Sequence, residues 1–363
     1  MDSARKTGAG LMSVSIIAGP AARLAVEMLT RAAASYRITV FTATPSAEPD
    51  ELIRRLTAIA EKGETDRVVI QCDPDKPAMA YASLFIENDS GPTLAGIARL
   101  TGVAFAIEPS TILDLPSCFI AEQLEFATGI FLPAASEDET FELARSIALT
   151  LNPRARVTLL SERAIGAWAR NSAGRFDFDE AMNNAGWRQL VEGASSAFRR
   201  VAALPYRARR PFHPQRFWKL LQHDLAGLFR AKGFFWLATR MDEVGGLNLA
   251  GSEVHCSSAG KWWAARDDAI REAEMPERTR KEWREPYGDR RQSFAVMGLD
   301  IEPKILQDRL DACLLTDSEM AEGENHWSTF ADPFPSWSAH AHVHHHHDEC
   351  DHEHGDEHER CHH

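Results

Sequence analysis

Along the first 160 residues, short apolar runs alternate with longer segments of helical spacing. Leu24, Met28 and Leu29, for example, fall on one face of a helix that follows the first run. Strands that alternate with helices predict a mainly parallel sheet covered on both faces. The predicted strands are 13–19, 37–41, 67–71, 103–107, 129–132 and 156–160, and the predicted helices are 22–34, 51–61 and 137–150.

The second half of the chain has a different order of elements. Phe234, Phe235 and Trp236 are good strand formers, and the run is too apolar for an edge strand that faces water. Gly233 interrupts it, as expected where another backbone passes close or the strand bulges. The order β-α-β-β-β-α predicts helices on one face of an antiparallel sheet. Its strands are 198–204, 230–240, 245–257 and 292–299, and its helices are 215–225 and 303–313.

Between and beyond these two domains lie segments with other patterns. A helical connector follows the first domain, and we expect its Trp168 and Trp187 to pack between the domains. Two prolines and four aromatic residues between 327 and 337 favour an extended segment, anchored on the second domain by Phe334 and Trp337. The predicted division is a disordered N terminus (1–12), a first domain (13–165), the connector (166–196), a second domain (197–316), the aromatic segment (317–339) and a tail (340–363).

Charge and cysteine content narrow the class of protein. The formal net charge of −13 argues against nucleic acid as a partner, and nearly half of it comes from the tail, which holds seven acids against one Arg. Arg5 and Lys6 precede an apolar stretch that glycines interrupt, so neither a signal peptide nor a membrane span is expected. Cysteines before the tail form no close pair, which predicts a reduced, cytoplasmic environment. We expect Cys72 to be a buried small apolar residue.

Two further groups of polar residues could bind a metal or a partner, but we expect both to have structural roles. His255 and Cys256 are neighbours on a predicted strand, so they point to opposite faces and cannot chelate one ion without a bulge. The Asp289-Arg290-Arg291 turn could present a guanidinium to a partner's carboxylate, but an ion pair within the turn is the favoured interpretation.

Three motifs of the second half occur in a recognisable order. They are the apolar strand at 230–240, the Gly-Lys-Trp-Trp-Ala run at 260–264 and the Tyr-Gly-Asp-Arg-Arg-Gln run at 287–292. Together they resemble the C-terminal domain of the CobW-type family of GTPase metallochaperones; the alternative is an unrelated aromatic-rich α+β domain. The resemblance implies an α/β P-loop-like domain, then a smaller α+β sandwich domain and, here, a disordered His-rich tail. It also implies metal delivery to client proteins.

The first domain departs from this family at the turn after the first strand. A P-loop has the spacing Gly-x-x-x-x-Gly-Lys-Ser/Thr, because backbone amides, a Lys and a hydroxyl must converge on phosphates and magnesium. Residues 19–24 read Gly-Pro-Ala-Ala-Arg-Leu, so one glycine remains and both the Lys and the hydroxyl are missing. Pro20 also removes an amide donor. Arg23 could reach a phosphate, but a solvated Arg is the more ordinary outcome.

Three other family sites are altered as well. Pro74 stands where a glycine amide is needed near the γ-phosphate, and Gln71 replaces an acid. After the segment 122–127, no carboxylate occupies the expected guanine-reading position, although Glu137 and Asp138 lie close by. The family's Cys-x-Cys-Cys metal motif is also missing. These losses predict a degenerate member without a P-loop, for which GTP binding is unlikely and no catalytic residue is assigned.

The tail supplies the candidate metal site. An expression tag and a merely solvated polar tail are the alternatives, but a tag is normally one uninterrupted run, whereas the longest here is 344–347. Imidazoles and thiolates are the ligands that zinc and other divalent transition metals such as nickel prefer, and the neighbouring carboxylates offset the charge of bound ions. The predicted ligands are His340, His342, His344, His345, His346, His347, Cys350, His352, His354, His358, Cys361, His362 and His363.

The sequence therefore predicts a CobW-like zinc-handling protein, a metallochaperone or a zinc store, with a non-functional nucleotide site. Its expected partners are metal ions, together with a client metalloprotein or an active CobW-type paralogue. The first alternative is a GTP-binding and GTP-hydrolysing metallochaperone that uses an atypical nucleotide site. The second is a scaffold that pairs with an active homologue and uses its tail only for solubility.

Overall fold

The computed structural model describes residues 11–33, 37–43, 49–63, 65, 67–87, 92–114, 116–171, 176–183, 185–194, 197–223 and 227–337. The predicted disordered N terminus, apart from its last two residues, and the His-rich tail lie outside these ranges. Among the described residues, no helix combines the length and the apolar character that crossing a membrane requires.

The first sheet is fully parallel, as its alternating pattern predicts. Its six strands run in the order β2-β3-β1-β4-β5-β6. They are β1 (Met12–Ala18), β2 (Ile38–Thr42), β3 (Arg67–Gln71), β4 (Ala98–Ala106), β5 (Gly129–Leu132) and β6 (Arg156–Leu159). The connections leave β1 towards one side and β4 towards the other, so the strand order reverses between these two strands. Ligands of open α/β sheets bind at the carboxyl edge of such a reversal.

Nine helices of the described chain accompany this sheet. They are α1 (Ala22–Ala32), α2 (Pro49–Lys62), α3 (Ala78–Ala82), α4 (Pro109–Leu113), α5 (Cys118–Phe126), α6 (Glu139–Leu151), α7 (Glu162–Asn171), α8 (Phe178–Asn183) and α9 (Gly186–Val191). Helices α1 and α7 share a core with one face of the sheet, while α2, α5 and α6 cover the other. Helices α3, α4 and α5 are not among those that the sequence pattern predicts.

The second sheet is fully antiparallel and has six strands in the order β11-β10-β9-β12-β8-β7. Its strands are β7 (Ala197–Phe198), β8 (Val201–Ala208), β9 (Leu228–Phe235), β10 (Glu243–Ala250), β11 (Glu253–Lys261) and β12 (Gln292–Leu299). Its helices are α10 (Pro214–His223), α11 (Asp268–Glu274), α12 (Glu277–Glu282), α13 (Pro303–Asp311), α14 (Asp317–Glu322) and α15 (Glu324–Trp327).

Both faces of the second sheet are covered. Helices α10 and α13 pack on one face, whereas Trp187 and Leu190 of α9 share a core with Phe229 and Met297 on the other. Because both faces are covered, the central strands β9 and β12 are buried almost throughout. Gly233 has φ +142°, and a Cβ there would lie 2.5 Å from the Cα of Phe294, so the predicted close approach of a backbone is confirmed.

Several predicted strands differ from the observed ones. The predicted strand 198–204 is a hairpin, β7–β8, because Arg200 adopts φ +73° and turns the chain. The predicted strand 245–257 is also a hairpin, β10–β11, which turns at Gly251 with φ +55°. The predicted strand 230–240 ends at Phe235, after which Leu237 forms a bridge with Phe212.

The two tryptophans of the connector have different positions. Trp187 contacts the ring of Phe234 on the second sheet, at 6.4 Å between centroids, as expected for a residue between the domains. Trp168 does not lie there: it packs edge-on against Phe131 at 5.9 Å, in the core that α1 and α7 share with the first sheet. The expectation for Trp168 is therefore wrong, because α7 packs against α1.

The aromatic segment is docked on the second domain, as predicted. Phe334 is buried among Phe217, Trp218 and Phe235, and Trp337 packs against Phe235 at 5.9 Å. The first part of the segment is helical rather than extended, because a capping box at Thr316 and Glu319 begins α14.

Candidate functional site

The turn after β1 lies at the strand-order reversal, where a nucleotide would be expected. Gly19 has φ +101°, and a Cβ there would lie 2.4 Å from the carbonyl oxygen of Ala106 at the end of β4. The Ala21 amide donates to that same oxygen at 3.0 Å, and the Ala22 amide donates to Gly19 at 3.0 Å. Pro20 has no amide hydrogen. The amides of Ala21 and Ala22 are thus bonded within the protein, and Pro20 has none to offer.

Arg23 follows this turn on α1. Its guanidinium Nε lies 3.1 Å from the Glu27 carboxylate, one helical turn onward, and its side chain is 85% exposed. An exposed pair of this kind contributes little to stability. Arg23 is therefore a solvated residue on the helix surface with an acidic neighbour. This agrees with the more ordinary of the two roles expected for it.

Two neighbouring residues at the end of β3, Cys72 and Asp73, are both buried but differ in how their polar groups are satisfied. Cys72 is buried, as expected, its amide donates to Ile17 at 2.9 Å, and burial raises the pKa of its thiol well above the ordinary range. Asp73, next to it, is 3% exposed. Its Oδ1 accepts from the Asp75 amide at 2.8 Å, whereas its Oδ2 has no hydrogen-bond partner among the described residues. This buried carboxylate oxygen without a partner is the group at the carboxyl edge of the sheet that could bind a ligand.

Of the two carboxylates near the expected guanine-reading position, one is structural and the other is exposed. Asp138 is the N-cap of α6 and accepts from the Phe141 amide at 3.0 Å. Glu137 is exposed. The Asp138 carboxylate that could have substituted for the missing one is therefore used to begin a helix.

Helix α5 connects the two domains through a buried ion pair. Arg230 on β9 is fully buried and donates to both carboxylate oxygens of Glu125, at 2.7 and 3.0 Å. It also donates to Asn248 Oδ1 on β10 at 2.6 Å. This bidentate geometry satisfies both charges in an environment where an unpaired one would be very costly.

A second ion pair lies beside the first. Lys232 Nζ donates to the Glu122 carboxylate at 3.0 Å, and the Asn248 side-chain amide donates to the same oxygen at 3.2 Å. Burial alone would raise the pKa of Glu122, but Lys232, Arg230 and Asn248 together lower it overall. Arg230 and Lys232 belong to the strand by which the second domain was recognised, yet their contact with α5 was not foreseen, because their partners are more than 100 residues away in sequence.

The structure brings together one group of possible metal ligands among the residues it describes. Cys118 Sγ, the Glu253 carboxylate and an imidazole nitrogen of His255 all lie within 4.8 Å of one another. Cys256 is not part of the group: His255 is exposed, whereas Cys256 packs partly buried against the core of the second domain. The thirteen ligands predicted between His340 and His363 lie outside the described residues.

The turn at Asp289 is structural, as favoured, but its side chains bind other elements of the domain rather than forming the expected ion pair within the turn. The Asp289 carboxylate is buried and accepts from the backbone amides of Trp263 and Ala264, at 3.0 and 2.9 Å. Arg290 donates to the Met241 carbonyl at 2.7 Å, and Arg291 pairs with Glu282 at 2.7 Å. All three side chains are therefore engaged inside the second domain.

The architecture defines a class of two-domain protein. A parallel α/β domain comes first, and a helical connector joins it to an antiparallel sheet domain. Residues 201–314 match the cobalamin synthesis protein CobW C-terminal domain. This second domain is therefore the part of the chain that matches the CobW-type family.

Two relatives whose names state a role are similar to this chain over part of their length. A zinc-regulated GTPase metalloprotein activator of Dictyostelium discoideum is 28% identical over 224 residues, covering 59% of this chain and 47% of the relative. A zinc chaperone of Mycobacterium tuberculosis is 34% identical over 204 residues, covering 54% and 49%. The chain thus spans about half the length of the curated relatives it matches.

A solved structure shows a more remote likeness. The Zn(II)-bound YjiA GTPase from E. coli is 13% identical, with a TM-score of 0.37, and the match covers 85% of this chain and all of that one. At this distance the likeness places no residue of the site.

Proposed function

We propose that this protein is a CobW-type zinc-handling protein, a metallochaperone or a zinc store, with a non-functional nucleotide site and a metal-binding His-rich tail. Two observations support it: the second domain matches the CobW C-terminal domain, and relatives of the chain are named for zinc delivery or zinc regulation. Zinc is here a cargo rather than a resident cofactor.

The observation that carries the loss of nucleotide use is the closed turn after β1. A triphosphate needs several converging amides and a Lys to offset its charge. Here Ala21 and Ala22 direct their amides to protein carbonyls, and Arg23 is paired with Glu27. A nucleotide would have to break the contact between Gly19 and Ala106 before it could use this turn.

The tail supports metal carriage by its composition. Eleven histidines, two cysteines and seven carboxylates lie within residues 340–363. Histidine has a reference pKa of about 6.5, so most of these imidazoles are neutral at pH 7.5 and coordinate without losing a proton. Ligands without a fixed spacing or packed surroundings should exchange ions readily, which suits storage or transfer.

Asp73 favours the alternative function, a GTPase with an atypical nucleotide site. Its Oδ2 is buried at the carboxyl edge of β3 and has no partner among the described residues. A magnesium ion that accompanies a nucleotide would satisfy such an oxygen. This alternative predicts magnesium-dependent GTP binding, which a calorimetric titration with GTP and magnesium tests.

The partners follow from the same proposal. A metal carrier needs a client metalloprotein, and the missing nucleotide step would be supplied by an active CobW-type paralogue. The acidic composition argues against nucleic acid, and no membrane partner is proposed.

Zinc titration of the full chain and of a 1–339 truncation tests the proposal. We expect the full chain to bind at least two more zinc ions than the truncation at pH 7.5, because four ligands complete one tetrahedral site. The difference should vanish between about pH 7 and pH 5.5 as the histidines become protonated. A full-length variant with the tail histidines replaced by Asn is the matched control for chain length. Equal zinc stoichiometry in all three proteins would remove the tail from the mechanism.

A further inference from the structure

We propose that Cys118, Glu253 and His255 form a three-ligand site for zinc or a similar borderline divalent metal, bridging the two domains. The site uses none of the tail residues, and it goes beyond the proposed function by assigning a metal site to the folded body. Its three ligand atoms lie within 4.8 Å of one another, and Glu253 and His255 approach to 4.0 Å.

Local folding explains why these three side chains meet. Glu253 and His255 are two positions apart on β11, so they project from the same face of that edge strand. Cys118 is the first residue of α5, whose N-cap is Ser117. The Cys118 amide donates to Glu253 Oε2 at 2.8 Å, which holds the carboxylate beside the thiol. The first domain thus supplies the sulfur, and the second supplies the oxygen and the nitrogen.

The spacing is close to that of a bound ion. A tetrahedral zinc ion with ligands at about 2.0–2.3 Å places its ligand atoms about 3.3–3.8 Å apart. The imidazole and carboxylate of the present group are 4.0 Å apart and all its separations are within 4.8 Å, so they exceed the bound spacing by about 1.5 Å at most. His255 and Glu253 are 65% and 46% exposed in their side chains, so both can rotate towards an ion.

The ligand set selects the class of metal. One thiolate, one imidazole and one carboxylate suit zinc or cobalt, whereas magnesium and calcium prefer oxygen ligands only. Three protein ligands leave the fourth tetrahedral position open to water or to a ligand from a partner. An ion held in this way is accessible from solvent through the exposed His255 and Glu253.

Binding must overcome one cost. Burial raises the pKa of the Cys118 thiol to about 11, although Arg230 opposes this effect. The incoming ion therefore displaces a proton, which leaves to solvent as the sulfur–metal bond forms.

Cobalt absorption in the full-length chain tests the site. The starting protein carries Cys350→Ser and Cys361→Ser, which removes the tail thiols and leaves its histidines in place. We expect Co²⁺ to give a thiolate-to-metal charge-transfer band that Cys118→Ser abolishes. His255→Ala should weaken the cobalt affinity about tenfold or more, because losing a direct ligand costs at least as much as losing an outer-shell partner. Cys256→Ser is the matched control and should leave the band unchanged.

A second measurement keeps the proposal open to refutation if Cys118→Ser fails to fold. Alkylation of the otherwise unchanged chain, mapped by mass spectrometry, should show that zinc protects Cys118, and His255→Ala should remove this protection. The proposal is overturned if the band survives Cys118→Ser, if no band forms, or if zinc leaves Cys118 alkylation unchanged. Replacing the tail histidines by Asn separates the two metal hypotheses: the tail zinc would disappear while the charge-transfer band remains.

Discussion

The carboxyl edge of the first sheet and the junction between the two domains are both places where chemistry could occur, but they differ in how their polar groups are used. At the edge, the amides of Ala21 and Ala22 and the carboxylate of Asp138 are bonded to neighbouring backbone. At the junction, charged side chains from distant parts of the sequence meet. Beside them lie a thiol, a carboxylate and an imidazole that can share an ion.

This difference teaches that two regions of one molecule can be constrained in different ways. The turn after β1 joins a parallel strand to a helix, and Gly19 allows it to pack closely on the end of β4. The junction is constrained across the two domains, because its ion pairs form only while both domains remain together. Substitutions at the two places should therefore have different consequences.

The largest expected effect is at the junction. Glu125→Ala leaves the guanidinium of Arg230 buried without its bidentate partner. We expect the free energy of unfolding to fall by about 3–5 kcal/mol, as is usual when one member of a buried pair is removed. Urea or thermal unfolding followed by circular dichroism measures this loss. Arg23→Ala, at an exposed pair, is the control and should change stability by less than about 0.5 kcal/mol.

A double variant sharpens this first result. Replacing both residues, with Glu125→Leu and Arg230→Met, removes the two buried charges together. Much of the lost stability should return, because neither substitution then leaves an uncompensated charge. If Glu125→Ala alone were as stable as the unaltered protein, α5 would not be fastened to the second domain in the way described.

The second expected effect compares one glycine from each region. Gly19→Ala and Gly233→Ala each place a Cβ about 2.5 Å from backbone atoms at a positive φ. We expect each to lower the free energy of unfolding by at least about 1–3 kcal/mol. Gly246→Ala is the matched control, since the nearest atom to its Cβ would be 3.5 Å away and its φ is ordinary. A Gly19→Ala protein of unchanged stability would mean that the turn is free to open.

Elements formed by local pattern were predictable from the sequence. Strands β3 and β5 match their predicted bounds, because each is a short buried run with turns at both ends. The docking of Phe334 was predictable for a similar reason: aromatic residues and prolines leave few alternatives to an extended, anchored segment. The hairpin turn at Arg200 was missed because Arg is not a usual residue at a positive φ, whereas the Gly251-Ser252 pair was a turn signal within the stretch predicted as one strand.

The candidate site at the junction could not have been predicted in this way. Cys118 and Glu253 are separated by 135 positions, and each alone is an ordinary residue. Only the packing of α5 on the second sheet brings them together. One signal was available: a buried strand that carries Arg230 and Lys232 requires acidic partners from another element. The Glu122 and Glu125 pair, at helical spacing, could have been matched to it.

A smaller effect concerns the acid side of the junction. Burial opposes ionisation of Glu122, but Lys232 and its neighbours lower its pKa below the ordinary value near 4.5. A carboxylate with a lowered pKa in the folded state contributes stability above its unfolded pKa, and this contribution is lost as the pH falls through the folded value. Glu122→Gln should therefore cost up to about 1 kcal/mol at pH 7 and progressively less below pH 4.5.

Unfolding midpoints of the two proteins between pH 7 and pH 3 test this. The two curves should converge at acidic pH, where Glu122 is protonated in the unaltered chain. Glu27→Gln, on the exposed face of α1, supplies the control for loss of one surface acid. Parallel curves across the whole range would show that Lys232 does not stabilise the ionised form of Glu122.

The last expected result is the absence of GTP binding, and this measurement decides between the proposed function and its alternative. GTP with magnesium should give no saturable binding at micromolar concentrations in a calorimetric titration, and no phosphate release. Arg23→Ala should leave this unchanged, because Arg23 is exposed and paired with Glu27. Zinc binding by the same preparation shows that the protein is intact. Micromolar GTP affinity that Asp73→Asn abolishes would instead place a magnesium-bound nucleotide at the end of β3, and would make the first domain an active site after all.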